Sequence, residues 1–344
     1  ALASGLATWV PAIQCRSGLY VVEATAGSGK TQLALTLLQR AHQGRLRSAY
    51  VCFNRPLADH MARIAPASAD VMTFHEACVN HQRAKGSEPD FAAPGVYQAL
   101  EAAFVQAAAG LPPKWDLLVL DETQDLAPEW VGALLGLLKE GGSAYLLGDA
   151  AQQLYAREGF DLPDAVTIRC NDNFRSPRKV VETINGLALT PTPVMARAAY
   201  AGATPGFHTY AAGEVNPLTA VEACLKRLQA EGVAPDHIAV ISYAGSGRSQ
   251  VLRQNTLAGL ACRKPTGRFD RAGNAVWTPG ELLVETVYRF KGQCAPVVVL
   301  CEVDFDSLGP RELSKLFVGF TRAQFRLECV LSERAAQALM ARAG

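Results

Sequence analysis

One short stretch decides the fold of this chain: Ala24-Thr25-Ala26-Gly27-Ser28-Gly29-Lys30-Thr31. It follows an apolar, β-branched run, Leu19–Glu23, and opens a helical pattern, Thr31–Ala41. Glycines in such a turn let backbone N–H groups surround a phosphate, and the helix N-terminus adds its positive end. In this pattern Lys30 reaches the β- and γ-phosphates and Thr31 offers a hydroxyl to Mg²⁺. The stretch therefore predicts a P-loop, with residues Ala26 to Thr31 binding a nucleoside triphosphate.

The composition indicates a globular chain with more than one core. The chain has 344 residues, of which 49 % are hydrophobic and 19 % are charged. Such a length favours two domains, and such an apolar content excludes an intrinsically disordered chain. The net charge of +1 neither indicates nor excludes a nucleic-acid partner, so any basic surface has to be local.

The cysteine pattern and the lengths of the apolar runs indicate the cellular compartment in which the protein is expected. The nine cysteines form no C-x-x-C pair, which argues against a disulfide framework or a zinc module and favours a reducing cytoplasm. No apolar run approaches the roughly 20 residues of a membrane span, and the N-terminus does not resemble a signal peptide. Because the chain starts at Ala1 and not at Met, we expect sequence upstream, and a fused domain or a protein partner stays open.

Short β-branched runs alternate with longer helical patterns, which is typical of parallel sheets with crossover helices. The strands predicted first are Leu19–Glu23, Ala49–Phe53, Val71–Thr73, Leu117–Asp121, Ala144–Gly148 and Val166–Arg169. The helices predicted between them are Thr31–Ala41, Pro56–Ile64, Val96–Ala109 and Glu129–Lys139. The first half of the chain therefore predicts one α/β unit.

A second series of the same kind follows. Its predicted strands lie near Ile238–Tyr243, Leu282–Val287, Pro296–Cys301 and Phe325–Leu331, and its helices near Val215–Glu231 and Arg311–Phe320. We place the domain boundary near residue 172, which gives domains 1–172 and 173–344. The proline-containing stretch Leu189–Gly206 is either a linker or a surface excursion of the second domain, and Arg263–Gly280 is predicted to be a surface loop.

Two acids end the predicted strand Leu117–Asp121. In a P-loop sheet such a pair lies beside the loop, so Asp121 is expected to hold Mg²⁺ through water. Glu122 is expected to accept a proton from the attacking water. Together with the P-loop, these acids predict hydrolysis of a nucleoside triphosphate.

Several motifs carry a resemblance to a known family. They are Asp121–Asp125 (DETQD), Gly148–Tyr155 (GDAAQQLY), Asn173–Ser176 (NFRS), Leu283–Leu300 with Thr286, Lys291 and Gly292, and Val318–Ala323 (VGFTRA). In order and approximate spacing they resemble the motifs of superfamily 1A helicases, the UvrD/Rep/PcrA class. The resemblance implies an α/β P-loop NTPase fold of two tandem RecA-like domains with mainly parallel sheets.

The resemblance also implies roles for residues. ATP and Mg²⁺ would bind in the cleft between the two domains, and Gln152 would sense the γ-phosphate. Arg175 and Arg322 would act from the second domain as arginine fingers, which is physically reasonable because developing phosphoryl charge needs cations placed in advance. The adenine-binding Gln of the class would lie near Trp9, where the nearby Gln is Gln14.

Residues at the ends of predicted strands are candidates for nucleic-acid contacts. Within the stretches that resemble the class they are Phe53, Asn54, Arg55, Thr73, His75 and Tyr155. Aromatic rings stack on unpaired bases while Arg, Thr and His contact phosphates, which suits a single strand. The alternative is that Phe53 and Phe74 are core aromatics.

The intervals between motifs are short for the class. Only residues 76–120 and 177–285 occupy the places where the class carries sizeable extra domains, so the chain resembles the bare motor. The class places a Trp where Arg157 stands, and a Glu where Cys294 stands. The function expected is an ATP-dependent DNA helicase-like motor on single-stranded DNA, with RNA not excluded. The alternative is an ATP-binding switch that acts through a protein partner, and a kinase is a distant third.

Overall fold

The structure is a computed structural model that describes residues 5–91, 93–152, 162, 164–211, 217–269 and 275–343. The chain divides into two compact units, Ala1–Asn171 and Asp172–Gly344. Each unit is built around a parallel sheet of its own. Among the described helices, none has the length and apolarity needed to cross a bilayer.

Unit 1 contains a six-stranded sheet in which every neighbouring pair is parallel. Its strands are β1 (Leu19–Ala24), β2 (Ser48–Cys52), β3 (Ala69–Thr73), β4 (Trp115–Asp121), β5 (Leu138–Gly148) and β6 (Val166–Cys170). They lie in the order β3-β2-β4-β5-β1-β6. The strand that leads into the P-loop is therefore an interior strand of the sheet.

The helices of unit 1 cover both faces of this sheet. They are α1 (Leu6–Trp9), α2 (Lys30–Gln43), α3 (Arg55–Ile64), α4 (Phe74–Ala84), α5 (Val96–Ala108) and α6 (Pro128–Leu135). Successive residues of β4 belong to opposite cores: Val119 packs with Leu33 and Met61, whereas Leu118 packs with the cluster around Phe74. Burial on both faces explains why the strands are continuously apolar.

The strands of unit 2 are β7 (Asp172–Asn173), β8 (Met195–Ala196), β9 (Gly206–Tyr210), β10 (Ile238–Ser242), β11 (Thr256–Leu257), β12 (Leu260–Arg263), β13 (Pro265–Phe269), β14 (Ala275–Trp277), β15 (Leu282–Thr286), β16 (Ala295–Val303) and β17 (Ala323–Ser332). Seven of them form a sheet in the order β11-β12-β15-β10-β16-β17-β9, which is parallel except for the hairpin β11-β12. The helices of unit 2 are α7 (Arg178–Gly186), α8 (Pro217–Ala230), α9 (Pro310–Phe320) and α10 (Glu333–Ala343).

The α/β P-loop fold class with mainly parallel sheets is confirmed, but two local predictions were wrong. The helix predicted at Glu129–Lys139 ends at Leu135, because Gly136 caps it and the chain then enters β5 at Leu138. The surface loop predicted at Arg263–Gly280 contains the antiparallel hairpin β13-β14. Its Gly, Pro and Arg residues hide the alternation that normally indicates a strand.

Candidate nucleotide and nucleic-acid sites

The predicted P-loop connects β1 to α2. Gly27 and Gly29 have φ values of +71° and +95°, a left-handed conformation that glycine adopts without cost, and Gly29 caps α2. Lys30 Nζ donates to the carbonyl oxygens of Ala24 at 2.6 Å and Thr25 at 3.2 Å. The lysine thus lies folded over its own loop.

The loop has polar atoms that suit a phosphate ligand. Among the described residues, Thr25 Oγ1 and Ser28 Oγ are buried and have no hydrogen-bond partner. Buried polar atoms are nearly always paired, so such atoms in a glycine-rich loop require an explanation. Lys30 is only 8 % exposed, and its partners among the described residues are two backbone carbonyls. The chemistry of the loop therefore fits the phosphates of a nucleoside triphosphate, with Thr31 in the first turn of α2.

Asp121 and Glu122 lie at the same sheet edge as the P-loop. The register pairs Asp121 with Leu147 of β5 and Glu23 of β1 with Gly148, which brings the ends of these three strands together. Asp121 is buried and accepts hydrogen bonds from the Tyr50 hydroxyl at 2.7 Å and from the Glu122 backbone N–H at 2.8 Å. Burial and the neighbouring Glu122 raise the pKa of Asp121 to about 6, while Lys30 opposes the shift. A buried carboxylate at the strand end beside the P-loop offers the oxygen donors that Mg²⁺ prefers.

A chain of hydrogen bonds links Glu122 to Gln152. Glu122 has a φ of +53°, and its carboxylate accepts a hydrogen bond from the Gln124 side chain. Gln124 Oε1 accepts from the Asp149 N–H at 3.0 Å, and Asp149 Oδ2 accepts from Gln152 Nε2 at 2.7 Å. Burial raises the pKa of Asp149, and Lys30 opposes this shift as well. Gln152 itself is buried.

Sequence reasoning did not identify Gln124, Asp149 or Tyr50 as site residues. Gln124 and Asp149 stand inside the quoted motifs, so a signal for them existed. Nothing near Tyr50 in the sequence marks it, because its hydroxyl meets Asp121 only across the β2-β4 pairing. Gln14, the predicted adenine contact, is an exposed residue between the turn Val10–Ala12 and β1.

The predicted nucleic-acid residues of unit 1 lie at the ends of β2 and β3. Asn54 caps α3 by accepting from the Leu57 N–H at 3.3 Å. Arg55 pairs with Asp59 and Glu76 at 2.8 and 2.7 Å. Phe53 is half-buried, and its ring stacks on Trp130 with a centroid distance of 6.3 Å. Phe53 thus contributes to packing, and part of its ring is accessible.

Thr73 and His75 also make local contacts. Thr73 caps α4 in a capping box with Glu76, in which the two residues exchange hydrogen bonds of 3.1 and 2.8 Å. His75 Nε2 lies 2.9 Å from Glu101 Oε1, and its ring lies 5.5 Å from that of Phe53. Phe74 is fully buried, as the core alternative expected. Tyr155 lies outside the described residues.

In unit 2 the NFRS motif forms a turn stabilised by Asn173. The buried Asn173 Oδ1 accepts from the N–H groups of Arg175 at 2.9 Å and Ser176 at 2.7 Å. Arg175 is half-buried beside it. The motif therefore holds the backbone of Arg175 in a defined turn.

Arg322, the other predicted finger, is almost fully buried. Its guanidinium donates to the carbonyl oxygens of Val318 at 3.0 Å and Gln293 at 3.3 Å, and to Thr321 Oγ1 at 3.1 Å. These bonds tie α9 and β17 to the connection between β15 and β16, so Arg322 is anchored within unit 2.

Among the described residues, one cluster away from these motifs has ligand atoms for a metal: His208, Cys224 and Glu328. Arg227 and Arg326 each donate to the Glu328 carboxylate, at 2.8 and 2.6 Å, and lower its pKa together with His208. Two guanidinium groups already contact Glu328, the carboxylate of this cluster, and they oppose the binding of a further cation. The cluster is therefore an ion-pair network.

Two family models match the chain: residues 10–158 match an AAA domain, and residues 281–327 match a UvrD-like helicase C-terminal domain. No curated protein matches the sequence. A solved structure similar to this chain is the crystal structure of Arterivirus nonstructural protein 10 (helicase). It is 13 % identical with a TM-score of 0.48, and the match covers 94 % of this chain and 62 % of that one. These two family matches confirm the resemblance to UvrD-like superfamily 1 helicase motors that was found in the sequence.

Proposed function

We propose that this chain is an ATP-driven motor that moves on single-stranded nucleic acid, with DNA preferred to RNA. The observation that carries the proposal is the buried chain of hydrogen bonds from Glu122 through Gln124 and Asp149 to Gln152. It joins the proposed catalytic base to the proposed γ-phosphate sensor at the sheet edge that also holds the P-loop. Such a connection suits an enzyme in which hydrolysis is coupled to movement.

The proposed nucleotide site uses the residues of unit 1. The backbone of residues Ala26 to Gly29 and the Ser28 hydroxyl hold the phosphates, Lys30 moves from its own carbonyls to the β- and γ-oxygens, and Gln14 contacts adenine. Thr31 and Asp121 hold Mg²⁺, which neutralises charge on the phosphate oxygens when it is bound. Glu122 accepts the proton of the attacking water. The neutral Gln124 amide keeps the Glu122 carboxylate oriented without taking its charge away.

We further propose that domain 173–344 supplies Arg175 and Arg322 to the transferring phosphoryl group. Both arginines are anchored in their own unit: Arg175 through the backbone turn at Asn173, and Arg322 through hydrogen bonds to carbonyls. An arginine that is already anchored moves little when negative charge develops on the phosphoryl group, as an arginine finger requires.

The single strand is proposed to bind at the ends of β2 and β3, where Phe53, Asn54, Arg55, Thr73 and His75 lie, with Tyr155 as a further contact. The register pairs Cys52 with Thr73, so these ends are neighbours on the edge that carries the P-loop. Stacking on a partly accessible ring such as Phe53 contributes roughly 1–3 kcal/mol per base and requires an unpaired base. The short intervals between motifs lead us to expect poor unwinding of blunt duplex.

The test is ATP turnover at low salt, measured against the concentration of single-stranded DNA, single-stranded RNA and duplex. We expect single-stranded DNA to stimulate turnover, and Phe53→Ala to remove the stimulation while the basal rate persists. Met340→Ala is a matched control, because Met340 is an exposed apolar side chain on α10. A flat response to both single strands would contradict the motor and favour an ATP-binding switch that acts on a protein partner.

A further inference from the structure

Unit 2 contains a cavity of about 490 Å³ that none of the motifs explains. It is lined from the carboxyl ends of β9, β10 and β16 and from one face of α9. The chain passes from β15 on one side of β10 to β16 on the other, so the order of strands reverses at this point. Ligands of open α/β sheets typically bind at the carboxyl ends of strands at such a reversal.

Lys315 of α9 forms part of the wall and is only 5 % exposed. Its Nζ lies 3.5 Å from the centroid of the Tyr243 ring and 5.6 Å from that of Tyr288. Among the described residues, no carboxylate lies within ion-pair distance of it. Burial lowers the pKa of Lys315 to about 8, and Arg311 and Arg248 add to the effect. A buried ammonium that has only aromatic faces for partners is costly to the fold.

Tyr243 lines the same cavity, and its hydroxyl has no partner either. The residue is 3 % exposed, and among the described residues its hydroxyl group makes no hydrogen bond. The two unsatisfied groups belong to different elements, since Tyr243 follows β10 and Lys315 lies in α9. Two such groups at one cavity are explained most simply by a ligand that accepts hydrogen bonds and carries negative charge.

The remaining charges of the lining favour an anion. Arg248 and Arg311 are exposed cations at the cavity, and Arg248 has no ion pair among the described residues. Both carboxylate oxygens of Glu302 are occupied by the N–H groups of residues 250 and 251 and by the Ser242 hydroxyl.

Two further acids line the cavity. Asp304 is held by Ser332 and Arg334. Glu312 lies in the first turn of α9, where the positive end of the helix offsets its charge. The lining thus holds three cations and three acids, but among the described residues none of these acids lies within ion-pair distance of Lys315, Arg248 or Arg311.

The segment of chain that contains Arg248 is basic in sequence. Residues 244–293 contain eight Lys and Arg against three Asp and Glu, whereas the whole chain has a net charge of +1. Of these basic side chains Arg248 lines the cavity, whereas Lys264 and Lys291 are buried and Arg289 pairs with Glu285.

We propose that this cavity is a phosphoryl-binding site, in which Lys315, Arg248 and Arg311 surround the anion and the Tyr243 hydroxyl donates a hydrogen bond to it. The phosphoryl group belongs to the backbone of the single strand, which rests on the proposed function, or to free phosphate or a free nucleotide. The two sources share one chemistry and are separable by experiment.

The experiment uses the full chain without ATP. Binding of a labelled oligothymidylate is measured by fluorescence anisotropy for wild type, Lys315→Met and Tyr243→Phe, with and without inorganic phosphate as a competitor. Thermal unfolding of each protein is followed in parallel, with and without phosphate. Lys226→Met is the matched control, because Lys226 is an exposed lysine of the same unit that pairs with Glu222 on the surface of α8.

We expect Lys315→Met to weaken oligonucleotide binding roughly ten-fold or more, as loss of a charge-assisted hydrogen bond implies, and Tyr243→Phe to weaken it less. Both variants should unfold at or above the wild-type temperature, because each removes an unsatisfied buried group. A purely structural role would give lower unfolding temperatures, with a loss of binding only in proportion to unfolding.

The other outcomes are equally informative. If phosphate stabilises wild type but not Lys315→Met, and oligonucleotide binding is equal in both, the ligand is free phosphate or a nucleotide. If neither readout separates Lys315→Met from Lys226→Met, the proposal is overturned. Failure of the motor proposal would show separately, as ATP turnover that does not respond to single strands while these binding results stand.

Discussion

Each unit buries a lysine at the carboxyl edge of its sheet, and the two lysines differ in what neutralises them. Lys30 of unit 1 donates two hydrogen bonds to carbonyl oxygens of the loop that carries it. Lys315 of unit 2 lies over the ring of Tyr243 and has no hydrogen-bond partner among the described residues. The first lysine is satisfied by a local segment, whereas the second is proposed to be satisfied by a ligand.

This difference shows how a buried cation reveals its function. A lysine held by its own loop is recognised from a sequence motif, because the partners are its neighbours in the chain. A lysine without partners is recognised only from the cavity that surrounds it, and its cost to the fold points to a bound anion. Substitutions at the carboxyl edges of the two sheets test whether Lys30 and Lys315 differ in this way.

The largest effect is expected where unit 2 is proposed to assist the nucleotide site of unit 1. Arg175→Ala should lower kcat on the order of 10³-fold, because an arginine finger acts on charge that develops in the transition state. The Kd for ATP should change far less. Steady-state turnover and nucleotide binding are measured together, and Arg178→Ala, at an exposed position of α7, is the control. A raised Kd with an unchanged kcat would show that Arg175 only binds the nucleotide.

A smaller loss is expected at Glu122, the proposed catalytic base. Glu122→Gln should reduce turnover on the order of 10²-fold and keep nucleotide binding, since the amide cannot accept the proton of water. Single-turnover hydrolysis measures the effect, and Glu129→Gln, at an exposed position of α6, should behave as wild type. Full activity of Glu122→Gln would remove this residue from the proposed mechanism.

A few-fold effect of pH is expected at the cavity of unit 2. The pKa of Lys315 is about 8, so the side chain is charged below that pH and neutral above it. Oligonucleotide affinity should therefore fall by a few-fold between pH 7 and 9, because backbone phosphates keep their charge over this range. The charged or titratable groups around Lys315 are Tyr243, Arg248, Tyr288, Glu302, Asp304, Arg311 and Glu312. Anisotropy titrations should give a flat profile for Lys315→Met, and an equally steep profile in that variant would contradict the expectation.

The smallest effect concerns stability, and its sign separates the two lysines. Lys315→Met should raise the free energy of unfolding by about 1 kcal/mol, because it replaces an unpaired buried charge by an apolar chain of similar length. Lys30→Met should lower it by about 1 kcal/mol, because the carbonyl oxygens of Ala24 and Thr25 lose their donor. Urea denaturation of the ligand-free protein measures both changes. Equal signs would mean that the two lysines do not differ as described.

Much of the fold was predictable because buried parallel strands leave continuous apolar runs. All six strands of unit 1 were predicted from such runs, with ends that differ from those of the structure by at most two residues, except that β5 starts at Leu138 and not at Ala144. Helix α4 was not predicted although its capping box, Thr73 to Glu76, is visible in the sequence. The hairpin β13-β14 and the edge strand β9 have weaker patterns, because edge and hairpin positions are less buried and their residues vary more.

The candidate site was predictable to the extent that it is local. The P-loop, the acid pair and the NFRS turn are contiguous stretches whose backbone hydrogen bonds and side-chain spacing are set within a few residues. The contact of Tyr50 with Asp121 and the path from Gln124 to Asp149 depend on which strands pair and in which register. Register is decided by burial across the whole sheet, so no local pattern reveals these contacts.

The amino-acid sequence by itself determined the phosphate-binding loop, the order of the motifs and hence the family, because glycine conformations, helix starts and charged motif residues act over short distances. Only the tertiary structure decided that Lys315, Tyr243 and Arg248 share a cavity, and that the carboxylates of Glu302 and Asp304 are already occupied. These groups come from separate strands and a helix, and their distances exist only once the seven-stranded sheet has formed. A buried charge gains or loses its partners at that stage, since burial and pairing are properties of the folded chain and not of any segment of it.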